Sequence, residues 1–177
     1  MIAAALLLGC HAAASPEHVV LTSVATLQQA FNADSGKVRA IFLASPTCGL
    51  CLRAASELHR LWLAQDSSQN VAVYVVWSPQ LGANEGHVAG GASLVSDPRV
   101  RHYWDPGELV GTAYDSLLDL PLPAWDTWML FNRSATWGSH GPPTPTWWEH
   151  QLSSGPPDLH LNPTRWTSHA RELTGTR

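Results

Sequence analysis

Two seven-residue runs, VRAIFLA at 38–44 and VAVYVVW at 71–77, constrain this chain more than any other feature. Both are nearly continuous in apolar, β-branched and aromatic side chains, the pattern of a strand covered on both faces. Between them, from Gly49 to about Gln65, Leu50, Ala54, Leu58 and Leu61 recur at three- and four-residue spacing. That spacing predicts an amphipathic helix, closed by the polar stretch QDSSQN. Strand, helix and strand in this order predict a parallel pair joined by a crossover.

The flanking chain extends the alternation. HVVLTS predicts a short strand, and Thr22 or Ser23 can cap a helix carrying Val24, Leu27 and Phe31 at helical spacing until Ser35-Gly36. After the second buried strand, SPQLGANEGHVAGGASLVS is glycine-rich and poorly periodic and reads as a long loop. Asp97-Pro98 and Asp105-Pro106-Gly107-Glu108 each look like a helix start, the second with an acidic residue placed for a capping box. The helix after Glu108 carries Leu109, Ala113 and Leu117 on one stripe and Val110, Tyr114 and Leu118 beside it. WDTWMLF and SATWG, on either side of Asn132-Arg133, predict an antiparallel hairpin, and Thr146 to Glu149 a last short helix. The expected organisation is a leader and linker over 1–17, one α/β domain over 18–152, and a loose tail over 153–177 with at most a helical turn near Arg165 to Leu173.

Composition narrows the partners. Of 177 residues only 14% are charged, the net charge is -4, and Lys37 is the sole lysine, so no basic surface is offered to nucleic acid. Six of the nine tryptophans, at 104, 125, 128, 137, 147 and 148, read mainly as core and edge packing, with lining a substrate groove as the alternative.

The N-terminal run from Ile2 to Gly9 is uninterrupted apolar. It is too short for a bilayer, which needs roughly 20 residues, but has the size of the apolar part of a secretory signal. Leu7-Leu8-Gly9-Cys10 resembles the lipobox of bacterial lipoproteins, which implies cleavage before Cys10 and lipid attachment to it, hence an exported, membrane-anchored protein of the cell envelope. Ala12-Ala13-Ala14 is the alternative cleavage region. Removing or lipidating Cys10 leaves two thiols, Cys48 and Cys51.

Those two thiols stand in PTCGLC, between the first buried strand and the amphipathic helix. At the first turn of a helix, residues i and i+3 share a side and their sulfurs can bond without backbone movement. Unpaired N–H groups and the helix dipole favour a thiolate at the first position, which makes Cys48 the nucleophile and Cys51, one turn inside, the resolving thiol. Gly49 leaves room for a partner's backbone, and Leu50 leaves the turn less fixed than proline would. The alternative is a soft-metal or metalloid carrier using the same sulfurs; two cysteines are too few for a closed zinc site, so His59, His87 or His102 would have to join. An inert structural disulfide is the third reading. No cofactor is called for.

The strand AIFLA, the motif PTCGLC, the helix after it and the late strand pair resemble the thioredoxin-like fold family over about residues 18–152. The resemblance implies a central mixed sheet flanked by helices, a CxxC at a helix N-terminus, and thiol–disulfide exchange with a cysteine-containing protein partner. Three positions depart from the family's pattern. Thr47 stands where a tryptophan or tyrosine often precedes the first cysteine, and Phe42 stands where thioredoxins proper keep a buried acid. The cis-proline that faces the cysteines maps near Ala124, Trp125 or Asp126, with Pro121 and Pro123 close enough only if the loop is shifted. Asp126 would then be an acid or ligand beside the pair.

Overall fold

The computed structural model describes residues 17–120 and 123–176. Cys10, with the rest of the expected leader, and Pro121 therefore lie outside the described residues.

The two apolar runs are strands over the predicted residues. β2 (Val38–Ala44) and β3 (Val71–Trp77) are buried at every position and pair in parallel, Val38 opposite Val71 through Ala44 opposite Trp77. β1 (His18–Val20) is the predicted short strand, and α1 (Val24–Ala33) starts at Ser23, whose hydroxyl accepts from the Ala25 N–H. α2 (Gly49–Leu58) continues into a π-helical turn over His59–Leu63. α3 (Val88–Ala92) is a short helix inside the segment read as a loop.

β4 (Val100–Trp104) corrects the first of the two predicted helix starts. Asp97 caps a turn instead: its carboxylate accepts from the Arg99 N–H and guanidinium, and Val100 N donates to the Asp97 carbonyl. VRHYW is then drawn into the slot between β1 and β3, where pairing on both edges outweighs a local cap. α4 (Leu109–Leu118) follows the second start, with the Asp105 carboxylate accepting from the N–H groups of Leu109 and Val110. The stripe of Val110, Tyr114 and Leu118 is the buried one, while Leu117 faces solvent.

β5 (Thr127–Phe131) lies antiparallel to β2, with Phe42 opposite Trp128. Its hairpin partner is β6 (Trp147–His150), not SATWG, so the predicted last helix is a strand. SATWG is held elsewhere: Trp137 is buried in the core, and its N–H and carbonyl are both bonded to the Asn32 side chain on α1. The six-stranded sheet runs β1-β4-β3-β2-β5-β6, parallel through β2 and antiparallel beyond it.

Alternation along the strands divides the core. Ala40, Phe42, Ala44, Val73, Val75, Trp77, Trp128 and Leu130 pack with α2 on one face; Ile41, Leu43, Tyr74, Val76, Met129 and Phe131 pack with α1 and α4 on the other. α5 (Pro163–Thr174) belongs to the first face. The tail expected to be loose is thus part of the packed fold: Asn162 caps α5, Pro163 occupies its first position, and Trp166 and Ala170, one turn apart, are fully buried. The Trp166 indole N–H donates to the Trp128 carbonyl at 3.1 Å, and its ring lies 5.3 Å from that of Trp62 and 5.5 Å from that of Phe42. The observed arrangement is the mixed sheet flanked by helices, with the cysteines at the start of α2, that the thioredoxin-like resemblance implies.

Candidate functional site

Cys48 is the N-cap of α2, with extended backbone (φ -83, ψ 108), and its sulfur accepts from the Cys51 N–H at 3.1 Å. One of the orphan donors of the helix start therefore points at the first sulfur. Cys48 keeps 5% of its surface open and Cys51 none, and both are free thiols. Both are buried, and one helical turn sets which of them keeps a small opening and which is fully enclosed. Gly49 is exposed, and a Cβ built there would meet nothing within 4 Å, so the flank of Cys48 is open.

Thr47 faces the loop after β3. Its hydroxyl lies 3.4 Å from the Gln80 carbonyl and 3.3 Å from that of Leu81, and the Ser45 hydroxyl donates to Gln80 O at 2.7 Å. These bonds tie the turn over Gln80–Gly82 to the cysteine loop. Leu81 in that turn has left-handed backbone, φ 57.

The position directly ahead of β5, facing the cysteines, is Asp126. One carboxylate oxygen of Asp126 and the two sulfurs lie within 4.8 Å of one another. Asp126 is buried and also left-handed, φ 48, with its carboxylate receiving the Trp128 indole N–H at 3.3 Å and its carbonyl receiving Gln151 N–H at 3.1 Å. A non-glycine residue there carries backbone strain, of order 1–3 kcal/mol, where it presents a carboxylate to two thiols. Pro123 sits elsewhere: a Cβ at Gly111 of α4 would lie 3.2 Å from Pro123 Cβ and 2.4 Å from Ala124 O, so this loop presses onto the glycine of α4. Phe42 is buried against Trp128, their ring centroids 4.7 Å apart. The acid beside the pair thus enters from the start of β5 and not from β2.

Burial raises the Asp126 carboxyl from 3.8 to about 6, partly opposed by its bonds to the Trp128 indole and Cys51. Burial likewise pushes the Cys51 thiol well above its ordinary value, and the adjacent Asp126 charge adds to the effect. Because the Asp126 value is raised on folding, its contribution to stability is fully present below pH 3.8 and is lost as pH rises through about 6. The expected loss is at most about 3 kcal/mol. Asp126→Asn, which keeps an oxygen for Trp128 and tolerates left-handed backbone, should flatten this part of the stability–pH curve and stabilise the protein at pH 7 by about 1–3 kcal/mol. Denaturant midpoints of both proteins between pH 4 and 7.5 measure it. Parallel curves would show that Asp126 is not titrating in this window.

The histidines proposed as additional ligands are engaged elsewhere or absent from this cluster. His102 is buried, and its Nδ1 accepts from the Trp77 indole at 3.3 Å; burial lowers its value to about 4. His87 accepts from the Asn84 N–H, and among the described residues His59 is not in a group with the sulfurs. Sequence reasoning named Leu50, Trp125 and Asp126 but missed two walls of the site, Leu81 and the 151–154 segment. A groove of about 370 Å³ beside Cys48 is lined by Leu50, Leu81, Trp125 and Asp126, and by the 151–154 segment following β6. Trp125 lines it, whereas Trp104, Trp128 and Trp137 are core residues. No local pattern marks 151–154; only the placement of β6 beside β5 brings it there. A second cavity, of about 290 Å³ near Asp97 and His102, holds no thiol.

No family model and no curated protein matches the chain. Similar solved structures include a putative protein disulfide isomerase from Bacteroides thetaiotaomicron, at 13% identity over 81% of this chain and 78% of that one, with a TM-score of 0.51. Another is a yeast mitochondrial 1-Cys peroxiredoxin, at 11% identity over 82% and 68%, with a TM-score of 0.52. A secreted Mycobacterium tuberculosis disulfide oxidoreductase is similar at 13% identity over 80% and 85%, with a TM-score of 0.48. At these identities the likeness is one of fold alone; the mixed sheet and the cysteines at the start of α2 make that fold thioredoxin-like.

Proposed function

We propose that the chain catalyses thiol–disulfide exchange on cysteine-containing polypeptides. The observation that carries this reading is the placement of two free thiols one helical turn apart, the outer one at the groove and the inner one enclosed beside a buried carboxylate. In the reducing direction the Cys48 thiolate attacks a substrate sulfur, the substrate S–S bond breaks, and the leaving thiolate takes a proton from water. A Cys48–substrate mixed disulfide results. Cys51 then gives its proton to the Asp126 carboxylate and attacks Cys48 Sγ, which expels the second substrate thiolate and leaves a Cys48–Cys51 disulfide. Two electrons pass from the pair to the substrate, and an external dithiol must restore it. The reverse sequence oxidises a substrate dithiol.

Asp126, ionised above about pH 6, is placed to take the Cys51 proton. Without such an acceptor, the enclosed thiol would have to ionise against its own burial. The test is reduction of insulin disulfides by the purified domain with dithiothreitol as the recycling dithiol. Turnover above that of dithiothreitol alone supports the reading, and a rate indistinguishable from it would sink it.

A second reading rests on the S₂O donor set of Cys48, Cys51 and Asp126, which suits a soft or borderline cation better than Ca²⁺ or Mg²⁺. A reduced protein that binds Cu⁺ or Zn²⁺ stoichiometrically, with a thiolate-to-metal absorption band weakened by Asp126→Ala, and that fails to reduce insulin, would be a carrier. The apolar run ending in Leu7-Leu8-Gly9-Cys10 supports export. Mass spectrometry of the host's membrane fraction should find an acylated peptide beginning at Cys10, and an unmodified Met1 peptide in the cytosol would overturn that assignment.

A further inference from the structure

Among the described residues, six large hydrophobic side chains are exposed, and the two most exposed, Leu81 at 61% and Leu50 at 51%, both line the groove that holds Cys48. They arrive from separate elements: Leu50 from the first turn of α2, Leu81 from the turn after β3. Trp125, ahead of β5, adds a third apolar wall.

Leu81 is the more informative. Its left-handed backbone (φ 57) is unfavourable for a leucine by about 1–2 kcal/mol, and no burial of its side chain offsets that. The turn is nevertheless held in place, because the Ser45 and Thr47 hydroxyls bond the Gln80 and Leu81 carbonyls. An exposed, strained leucine is thereby anchored to the cysteine loop itself. Strain maintained at a solvent-facing apolar side chain beside a nucleophile is an arrangement for contact with a partner.

Charge decides what kind of partner. Among the described residues, the lining contains no lysine, arginine or histidine, and its one charged side chain is Asp126. The sole lysine, Lys37, is paired with Asp34. A small anionic disulfide such as oxidised glutathione would bring carboxylates to a groove whose described lining offers no cation to receive them. Apolar side chains next to a cysteine would bury surface against Leu50, Leu81 and Trp125 with no charge to desolvate.

We infer that the groove selects a polypeptide segment whose cysteine is flanked by apolar residues, with Leu81 as the residue that sets this preference. The inference rests on the exchange reading and names its substrate class.

The test compares three probes with the full-length protein: two peptide disulfides identical except for leucine or glutamate on both sides of the cysteine, and glutathione disulfide. Partial burial of apolar flanks predicts a kcat/KM about tenfold higher for the leucine peptide than for the glutamate peptide, with glutathione disulfide slowest. Leu81→Asn suits the left-handed backbone and removes the apolar side chain. It should shrink the preference severalfold, mainly by raising KM for the leucine peptide. Leu81→Gly, which relieves the strain as well, should do the same.

Equal rates on the three probes, or a preference unchanged in both variants, would overturn the inference while leaving exchange intact. Failure to exchange any probe would overturn the exchange reading and this inference with it. Equal rates together with a concentration-dependent dimer that Leu81→Asn dissolves would assign the patch to a second copy of the chain.

Discussion

Cys48→Ser should reduce exchange activity to the uncatalysed background, and Cys51→Ser should accumulate as a mixed disulfide with its substrate. The asymmetry follows from accessibility and from the order of bond making. Cys48 alone reaches the groove, so its loss removes the first attack; a serine hydroxyl is not ionised at neutral pH and forms no disulfide. Cys51 is fully enclosed and can attack only the neighbouring sulfur, so its loss spares the first step and removes the second. Its backbone N–H still donates to Cys48 Sγ when the side chain is serine, which keeps the nucleophile's surroundings intact. Non-reducing electrophoresis and intact-mass measurement after incubation with an oxidised substrate read both outcomes. Trapping by both variants alike, or by neither, would remove the assigned roles.

Trp166→Ala should have the largest effect on stability, a loss of about 3–5 kcal/mol. Native domains are stable by only about 5–15 kcal/mol, so the variant should be close to unfolded in mild denaturant. The indole is fully buried between Phe42 and Trp62, and its N–H satisfies the carbonyl of Trp128 on the strand that also carries the Asp126 turn. Alanine leaves a cavity and an unpaired carbonyl together. Trp166→Phe, which fills most of the volume but cannot donate, separates the two costs and should lose about 1–2 kcal/mol less than alanine. Equilibrium urea unfolding measures all three proteins. A loss below about 1 kcal/mol for alanine would mean that α5 is dispensable to the core.

β2, β3, α1 and the start of α2 could be read from the chain because each carries its own pattern. The two strands are continuous apolar runs, α1 has its Ser23 cap, and the α2 stripe begins beside the cysteines. The CxxC at a helix start was legible for the same reason: sequence neighbours i and i+3 become spatial neighbours through helical geometry alone. Residues whose conformation depends on distant partners were not legible. VRHYW is half exposed at its start and becomes β4 only because β1 and β3 flank it, and WWEH becomes β6 by pairing with β5 although Thr146 resembles a cap. Pro163 after a proline-bearing stretch suggests a loose tail; Trp166 makes it a core helix because Phe42 and Trp62 leave a place for an indole.

The amino-acid sequence by itself determined the thiol pair and the helix turn that relates Cys48 to Cys51, since both are local. Only the tertiary structure decided what surrounds them. Antiparallel pairing of β5 on β2 carries Asp126, 75 residues beyond Cys51 in the numbering, to the two sulfurs, and hydroxyls of the cysteine loop hold Leu81 at its rim. Burial in that setting raises the Asp126 carboxyl to about 6. A carboxylate's proton affinity depends on the dielectric and partners around it, and those are properties of the packed fold rather than of the chain next to it.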